Sequence, residues 1–344
     1  MKISFKNDYS EGAHPAILEA LLQTNRQQQP GYGLDDYSEQ AKALIRERIG
    51  NPQAEIFFVS GGTQANLLVL GHILRPHESI IACQSAHIAD HETGAIEAVG
   101  RKIHLAPSDN GKLSPEQIRD YASRYTNVPH QVQPRLVYIT QTTEIGTLYS
   151  LAELKAIWQC CQELGLLLYM DGARLAQALS AEGNDIGWED LARYTDIFYI
   201  GATKCGALLG EAIVFNQSAL AEYFSFYIKQ KGALLAKGRL LGLQFLTLFQ
   251  NNLYEELGRL ANTQMKRIKE AFVDKGIGFL SDTCTNQLFP ILTQRQIAQL
   301  SADFDFYLWQ KVDAEHTAIR LITSWATEDS QVEALLRAIE GLTP

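Results

Sequence analysis

A lysine inside an apolar run is the first residue that could do chemistry. The segment DIFYIGATKCGALLG, residues 196–210, places Lys204 among small and apolar residues. Burial of an ammonium group is unfavourable, so such a lysine reaches water, finds a partner or loses its proton. A neutral lysine amine is a nucleophile. For Lys204 alone, however, a solvated loop lysine is the favoured interpretation.

Two further segments contain groups that could act with this lysine. Asp171 follows the apolar run LLLYM, one strand–helix–strand unit before Lys204. The segment SGGTQAN (60–66) offers two glycines and Thr63 at the start of a predicted helix, where free N–H groups and the helix dipole favour an anion. Each has an ordinary alternative: a helix cap paired locally with Arg174 in the first case, a glycine turn with a threonine cap in the second.

Two histidines, His87 and His91, lie four residues apart in AHIADHETG (86–94). The spacing would place both on one helix face, but a third ligand at suitable spacing for a metal is missing. An imidazole stacked on a planar ring is another use, and two surface histidines are the ordinary alternative.

The four signals together are more specific than any one of them. They supply a lysine for a Schiff base, an aspartate for a pyridinium nitrogen, a glycine–threonine cup for a phosphate and an imidazole to cover a ring. These are the groups that bind pyridoxal 5′-phosphate. Their order along the chain (cup, histidine, aspartate, lysine) matches that of the fold-type-I pyridoxal-phosphate enzymes.

The surrounding pattern predicts the elements that position these groups. Short apolar runs alternate with helical periodicity, which is typical of a mostly parallel sheet covered on both faces. The predicted strands are 55–60, 79–83, 101–105, 135–140, 166–171, 196–201 and 211–215, and the helices around and between them 15–26, 36–48, 63–75, 114–125, 151–164 and 173–181. Longer helical patterns follow at 218–230, 238–250 and 252–275, then strands near 286–292, 304–309 and 317–323 and a helix from 328.

This change of character predicts an α/β fold in two parts. We expect an N-terminal arm, 1–15, that contributes to the active site, a large α/β domain, 16–240, and a small C-terminal α+β domain, 241–344. Ligands of open α/β sheets bind where the strands end, so the chemistry is expected at those strand ends.

Composition and charge exclude several classes of protein. The formal net charge is −9 without a basic block, which argues against nucleic acid or an anionic membrane as the main partner. Five scattered cysteines are not a disulfide framework, and no cysteine–histidine spacing predicts zinc or another metal. The absence of a long apolar run and of a signal-peptide pattern predicts a cytoplasmic protein without a membrane span.

Over nearly its whole length the sequence resembles the low-specificity L-threonine aldolases of the β-eliminating lyase family. The resemblance rests on NDYSEGAHP (7–15), PGYG (30–33), SGGTQAN (60–66), AHIADHETG (86–94), TQTTEIGTLYSLAEL (140–154), DGARLAQAL (171–179), GATKCGALLGE (201–211) and RLITSWAT (320–327). It implies a three-layer, aspartate-aminotransferase-like fold, pyridoxal phosphate as cofactor and a homodimer or homotetramer with shared active sites. It also implies a carbon–carbon lyase that cleaves L-threonine, L-allo-threonine or a similar β-hydroxy-α-amino acid to glycine and an aldehyde.

The resemblance also assigns roles to single residues. It implies catalytic roles for Lys204 (the Schiff base), His87 (the ring-stacking imidazole) and Asp171 (facing the pyridine nitrogen). It implies cofactor contacts from Gly62, Thr63, Arg174 and, across a subunit boundary, Lys229 or Lys237, and substrate contacts from Asn7, Tyr32, Arg174 and Arg320. His87 or His91 is the candidate base, and the small residues Gly201, Ala202 and Gly206 are expected to leave room for the cofactor.

Three departures from the family pattern and three alternatives stay open. Asn7 stands where relatives have serine, Cys205 where they often have asparagine, and the loop after Tyr32 has an extra residue. The alternatives are a β-eliminating lyase or aminotransferase acting on another amino acid, a cofactor-binding regulator without turnover, and an unrelated α/β protein. Regulators of that kind usually have an added DNA-binding domain, whereas the motifs here begin within the first 15 residues.

Overall fold

A seven-stranded sheet forms the centre of the chain, whose residues 2–343 are described by a computed structural model. The strands of the chain are β1 (Ile3–Ser4), β2 (Glu55–Val59), β3 (Glu78–Cys83), β4 (Lys102–Ala106), β5 (Gln133–Thr140), β6 (Leu167–Asp171), β7 (Ile197–Gly201), β8 (Glu211–Phe215), β9 (Gln287–Leu288), β10 (Ile291–Thr293), β11 (Phe304–Asp305), β12 (Tyr307–Lys311) and β13 (His316–Ile322). The central sheet has the order β2-β8-β7-β6-β5-β3-β4. Its one reversed strand, β8, runs antiparallel to both β2 and β7.

Helices cover both faces of this sheet. The helices of the chain, of which α13 and α14 pack in the C-terminal part instead, are α1 (Pro15–Thr24), α2 (Asp36–Arg48), α3 (Gly62–Ile73), α4 (His87–Asp90), α5 (Ala95–Ala98), α6 (Pro115–Ser123), α7 (Leu151–Leu164), α8 (Leu175–Leu179), α9 (Trp188–Tyr194), α10 (Phe224–Gln230), α11 (Arg239–Phe249), α12 (Leu253–Asp274), α13 (Gln294–Leu300) and α14 (Asp329–Glu340). Alternate strand residues point to separate cores: Ala212 and Val214 enter one, Ile213 and Phe215 the other. Burial on both faces explains why these strands are continuous apolar runs.

The predicted α/β class and the three-layer fold are confirmed. All seven central strands lie within two residues of their predicted bounds, and Asp171 and Lys204 follow the neighbouring strands β6 and β7. The predicted helix 218–230 is wrong in part, because Tyr223 has a left-handed φ of 61° that separates a 3-10 turn from α10. Four short helices were not predicted: α4, α5, α9 and α13.

The C-terminal part is a small antiparallel sheet with its own core. β13 pairs with β10, β12 and β9, and α12 and α14 contribute to the same apolar cluster. The arm joins it, since β1 pairs with β11 and Phe5 is buried there. Helix α12 contributes Leu257 to the large core and Met265 to the small one. A domain boundary at residue 240 stays a prediction.

Between residues 2 and 343, no helix has the length and apolar character needed to cross a bilayer.

Candidate active site

One cavity of about 710 Å³ collects most of the residues singled out by the sequence analysis. It opens where the parallel strands end, and its wall includes Gly62, Thr63, His87, Arg174, Lys204 and Arg320. The small sheet closes one side with Tyr307, Leu308 and Trp309 of β12. Residues far apart in the chain therefore share one chamber, which is what a reaction with several participating groups requires.

Lys204 follows β7 and its side chain lines this cavity. Burial and the positive charge of Arg174 lower the pKa of Lys204, against the opposite influence of Asp8, Glu144 and Asp171. Among the described residues, Nζ has no acidic oxygen within 4 Å. A lowered pKa increases the fraction of neutral amine, so Lys204 is suited to act as a nucleophile.

Asp171 is the last residue of β6, and its carboxylate is buried below the cavity. Oδ2 accepts hydrogen bonds from Tyr138 (2.5 Å) and from the Asn66 amide (3.2 Å), and Oδ1 accepts one from the backbone N–H of Ala173 (2.9 Å). The Asn66 amide also donates to Glu92 at 2.9 Å, and burial raises the pKa of Glu92 to about 7. Three donors fix the position of the Asp171 carboxylate.

The turn between β2 and α3 has the features of an anion-binding site. Gly61 caps α3 without any side-chain hydrogen bond, so the first amides of this 12-residue helix are available to a ligand. Gly61, Gly62 and Thr63 all line the cavity. A Cβ atom on Gly61 would meet nothing within 4 Å, so the space above the turn is open.

His87 begins α4 and is held by an acidic residue that the sequence analysis missed. Its Nδ1 lies 3.2 Å from Oε1 of Glu144, and its ring centroid lies 5.4 Å from that of His91. Burial alone would raise the pKa of Glu144, but the contact with His87 and its charge lower it to about 2. Burial lowers the pKa of His87, yet Glu144 raises it overall. The sequence signals for Glu144 were its place in the motif TQTTEIGTLYSLAEL (140–154) and its position just after a predicted strand, but neither indicated a contact with His87.

Arg174 is paired with the N-terminal arm. Its Nε and one terminal nitrogen donate to the two carboxylate oxygens of Asp8 at 2.7 and 3.0 Å, and Asn286 also donates to Asp8 at 2.9 Å. The local pairing of Arg174 with Asp171, considered above as an alternative, does not form. Both side chains are buried, so each neutralises the charge of the other with little screening by solvent.

Arg320, on β13, is held differently. Its guanidinium lies over the rings of Tyr307 (4.9 Å) and Trp309 (4.7 Å), and its buried Nε has no hydrogen-bond partner. Burial and the charge of Arg174 lower the pKa of Arg320. An unpaired guanidinium at the cavity wall is available to a carboxylate ligand.

A second missed residue, Glu211, begins β8 and lines the cavity beside Lys204. Its Oε2 accepts a hydrogen bond from the backbone N–H of Ala202 at 3.1 Å. Burial raises the pKa of Glu211 to about 8. A charged residue at the start of the apolar run EAIVF was its sequence signal.

Besides Asp171, four of the predicted residues do not line the cavity of their own chain: Asn7, Tyr32, Lys229 and Lys237. The Asn7 side chain accepts hydrogen bonds from the Tyr9 backbone and the Ser10 hydroxyl, and Tyr9 reaches the cavity instead. Tyr32 is exposed with the Lys229 ammonium 4.5 Å from its ring centroid, and Lys237 is also exposed. The roles assigned to Asn7, Tyr32 and Lys237 stay predictions.

The glycines around Lys204 accommodate protein atoms. A Cβ on Gly201 would lie 2.5 Å from the carbonyl oxygen of Ala173, and one on Gly206 would lie 2.6 Å from Leu257. A Cβ on Gly172 would lie closer still, 2.0 Å from the carbonyl oxygen of Tyr199, and the Gly172 carbonyl accepts a hydrogen bond from the Gly201 N–H at 3.0 Å. The expectation that Gly201 and Gly206 leave room for a cofactor is therefore wrong, because the neighbouring backbone and a core leucine occupy that space.

No cluster of three or more histidine, cysteine, aspartate or glutamate side chains with metal-binding geometry occurs within the described part of the chain.

Comparison with known proteins gives a consistent result. Residues 6–293 match the beta-eliminating lyase family. The chain is 33% identical over 342 residues to the low specificity L-threonine aldolase of Pseudomonas aeruginosa, an alignment that covers 97% of this chain and 96% of that protein.

Solved structures agree with the family match. A threonine aldolase from Leishmania major superposes with a TM-score of 0.96 at 45% identity, and the match covers 98% of both chains. An aspartate aminotransferase variant from Thermus thermophilus superposes with a TM-score of 0.73 at 14% identity, covering 98% of this chain and 90% of that one, a likeness of fold alone.

Proposed function

Because the chain belongs to the β-eliminating lyase family, we propose that it is an aldehyde-lyase that cleaves L-threonine, L-allo-threonine or a similar β-hydroxy-α-amino acid to glycine and an aldehyde. One observation carries the proposal: a lysine with a lowered pKa, an unpaired arginine and an acid-paired histidine line one cavity. These are a nucleophile, a carboxylate-binding group and a proton acceptor, which aldol cleavage of an amino acid needs.

The same cavity fits pyridoxal 5′-phosphate. The uncapped N-terminus of α3 offers amides to a phosphate, with Gly62 and Thr63 at its first turn. Lys204 would hold the cofactor covalently, Asp171 would pair with its ring nitrogen and His87 would cover its ring. When bound, pyridoxal phosphate supplies an electron sink for the bond that breaks at Cα.

Arg320 would bind the substrate carboxylate. Its Nε has no protein partner and its guanidinium is held between two rings, so it can form a bidentate pair without first breaking one. Arg174 already uses two nitrogens on Asp8 and would orient ligands through its remaining N–H donors. We therefore assign the larger part of carboxylate binding to Arg320.

His87 would accept the proton that the β-hydroxyl group releases as the aldehyde forms. Such positioned proton transfer typically contributes about 10²–10⁴-fold to the rate. His91, whose ring is 5.4 Å from that of His87, is the second candidate for this role. The pairing of His87 with Glu144 favours His87, because a neighbouring carboxylate stabilises the imidazolium that the transfer creates.

The covalent role of Lys204 can be tested directly. We expect borohydride reduction in the presence of pyridoxal phosphate to add the cofactor mass to the peptide that contains Lys204, and L-threonine to yield glycine and acetaldehyde. Lys204→Ala should abolish both, whereas Lys155→Ala, which removes a helix-surface lysine, should change neither. Retained cleavage by Lys204→Ala would refute the assignment. A 2-oxo acid or ammonia in place of glycine would favour an aminotransferase or a β-eliminating lyase on another amino acid.

We also propose a homodimer or homotetramer with shared active sites. Support comes from the exposed apolar side chains of Tyr32, Leu34, Tyr223 and Phe226, which lie on or near the segments that bear Lys229 and Lys237. If Lys237 serves the neighbouring subunit, a mixture of Lys204→Ala and Lys237→Ala subunits should regain activity that neither has alone. A monomer in sedimentation would contradict the proposal.

A cytoplasmic location is likewise a proposal, supported by five cysteines that form no disulfide in the described chain. Cell fractionation against marker enzymes would test it.

A further inference from the structure

Two histidine–carboxylate pairs occur in the described chain, and they differ in burial. In the pair His316–Asp313, the nitrogen and oxygen are 3.0 Å apart and the side chains are 38% and 55% exposed. In the pair His87–Glu144, the separation is 3.2 Å and the side chains are 31% and 11% exposed. A carboxylate removed from water acts more strongly on its partner, because less solvent screens the interaction.

We propose that Glu144 is a positioning residue that accepts a hydrogen bond from Nδ1–H of His87 and thereby leaves Nε2 of His87 unprotonated and free to act as the base. The inference rests on the proposed aldol cleavage and assigns a residue to one of its steps. The proton of the β-hydroxyl group passes to Nε2 as the carbonyl of the aldehyde forms, and Glu144 stays ionised beside the resulting imidazolium. The carboxylate fixes the tautomer and balances the charge, as the acidic member of a catalytic triad does.

The surroundings of Glu144 keep it ionised. The hydrogen bond from His87 and the positive charges of Arg174 and Lys204 lower the pKa of Glu144, against the burial that would otherwise protonate the carboxyl. The main chain helps to hold it in place: Glu144 lies in a turn in which the Thr143 N–H donates to the carbonyl of Thr147, and the Gly146 N–H to that of Thr143. A fixed, ionised carboxylate at Nδ1 is what tautomer selection requires.

Several other charged or titratable groups face His87, and a pH experiment must account for them. They come from the segment of His87 itself, from the end of β6 and from the loop after β7: Glu92, His91, Asp171 and Lys204. Asp171 raises and Lys204 lowers the pKa of His87, but the hydrogen bond with Glu144 is the largest influence that raises it. Removing the Glu144 charge alone should therefore move the titration of His87 downward.

The experiment combines a proton titration with a rate profile. Protein labelled with ¹⁵N-histidine is titrated by NMR as wild type, Glu144→Gln and Glu144→Asp, with His87→Asn to identify the signal. We expect Glu144→Gln to lower the pKa of His87 by roughly one unit or more, as the removal of a close opposite charge does. The acid limb of kcat/KM for L-threonine should shift to lower pH, since the base then stays neutral at lower pH. Its maximum should fall by about 10²–10⁴-fold.

Two variants make the result specific. Glu144→Asp keeps the charge and should recover part of the activity and of the His87 titration. Asp313→Asn removes the carboxylate of the exposed pair and should leave kcat/KM unchanged. A fall in activity with an unchanged His87 titration and an unchanged acid limb would overturn the proposal and make Glu144 structural. If the wild type forms no glycine from threonine, the aldolase proposal fails, while the NMR titration still decides whether Glu144 controls His87.

Discussion

Two arginines, Arg174 and Arg320, line the cavity from different sheets, and their guanidinium groups are held by different kinds of partner. Arg174, from the large sheet, is buried and gives two nitrogens to Asp8 of the arm. Arg320, from the small sheet, is held by the rings of Tyr307 and Trp309 and leaves Nε without a partner. Rings position a guanidinium without using its donors, whereas a carboxylate uses them.

This difference leads us to expect a mainly structural role for Arg174 and a ligand-binding role for Arg320. The Arg174–Asp8 pair joins the arm to the central sheet, and Asn286, just before β9, adds a link from the small sheet through Asp8. Loss of either charge would leave the other buried and uncompensated. Arg320 has no such partner to lose, so its removal should affect ligand binding more than folding.

The largest expected effect is that of Asp8→Ala. Breaking a buried pair by removal of one partner typically costs about 3–5 kcal/mol, and we expect a loss of that order in the free energy of unfolding measured with urea. Asp8→Asn should lose less, because the amide still accepts a hydrogen bond. Glu163→Ala, which breaks an exposed pair with Arg119, is the matched control and should change little. Equal losses of stability at Asp8 and Glu163 would show that the buried pair contributes no more than an exposed one, and would contradict the structural role of Arg174.

Arg320→Ala should have a smaller effect, and on binding. A charge-assisted hydrogen bond contributes about 1.5–3 kcal/mol, so the KM for the amino acid should rise by roughly 10–150-fold. The urea midpoint should stay close to that of the wild type. Arg320→Lys should lie between the two proteins, since an ammonium cannot reproduce the planar fork. An unchanged KM would transfer carboxylate binding to Arg174.

Trp309→Leu should have the smallest effect. A cation–π contact contributes about 0.5–2 kcal/mol, so a rise in KM of roughly 2–30-fold is expected from looser positioning of Arg320. Trp309→Phe keeps a ring against the guanidinium and should restore most of the affinity. If both variants behave as wild type, Tyr307 alone is sufficient to hold Arg320.

Local signals made much of the fold predictable. Helix α7 was predicted with its observed bounds from the helical spacing of its apolar residues. The structure explains the agreement, because Ser150 and Glu153 form a reciprocal capping box and Gly165 ends the helix in the left-handed region. The neighbouring ends of β6 and β7 followed from one strand–helix–strand unit, so the proximity of Asp171 and Lys204 was also accessible.

The charge pairs of the site were not predictable in the same way. Asp8 and Arg174 are 166 residues apart in the chain, and Glu144 contacts His87 from the end of a different strand. Such pairs leave no periodicity or spacing in a single sequence, because each partner is placed by the fold independently. The same reason applies to Arg320. Its sequence motif could be identified, but its contacts with the rings of Tyr307 and Trp309 could not be predicted.

The contact between Gly172 and Gly201 has a consequence for how this enzyme can be changed. Asp171 and Lys204 are separated by a seam in which two backbones touch directly, with a hydrogen bond from Gly201 to Gly172 and no side chain between them. This contact fixes the distance between the ends of β6 and β7, since a single methyl group on either glycine would force the two strand ends apart. A mutant library intended to alter substrate choice can therefore vary Leu308 of the β12 wall, and should keep both glycines and the two rings that hold Arg320 constant.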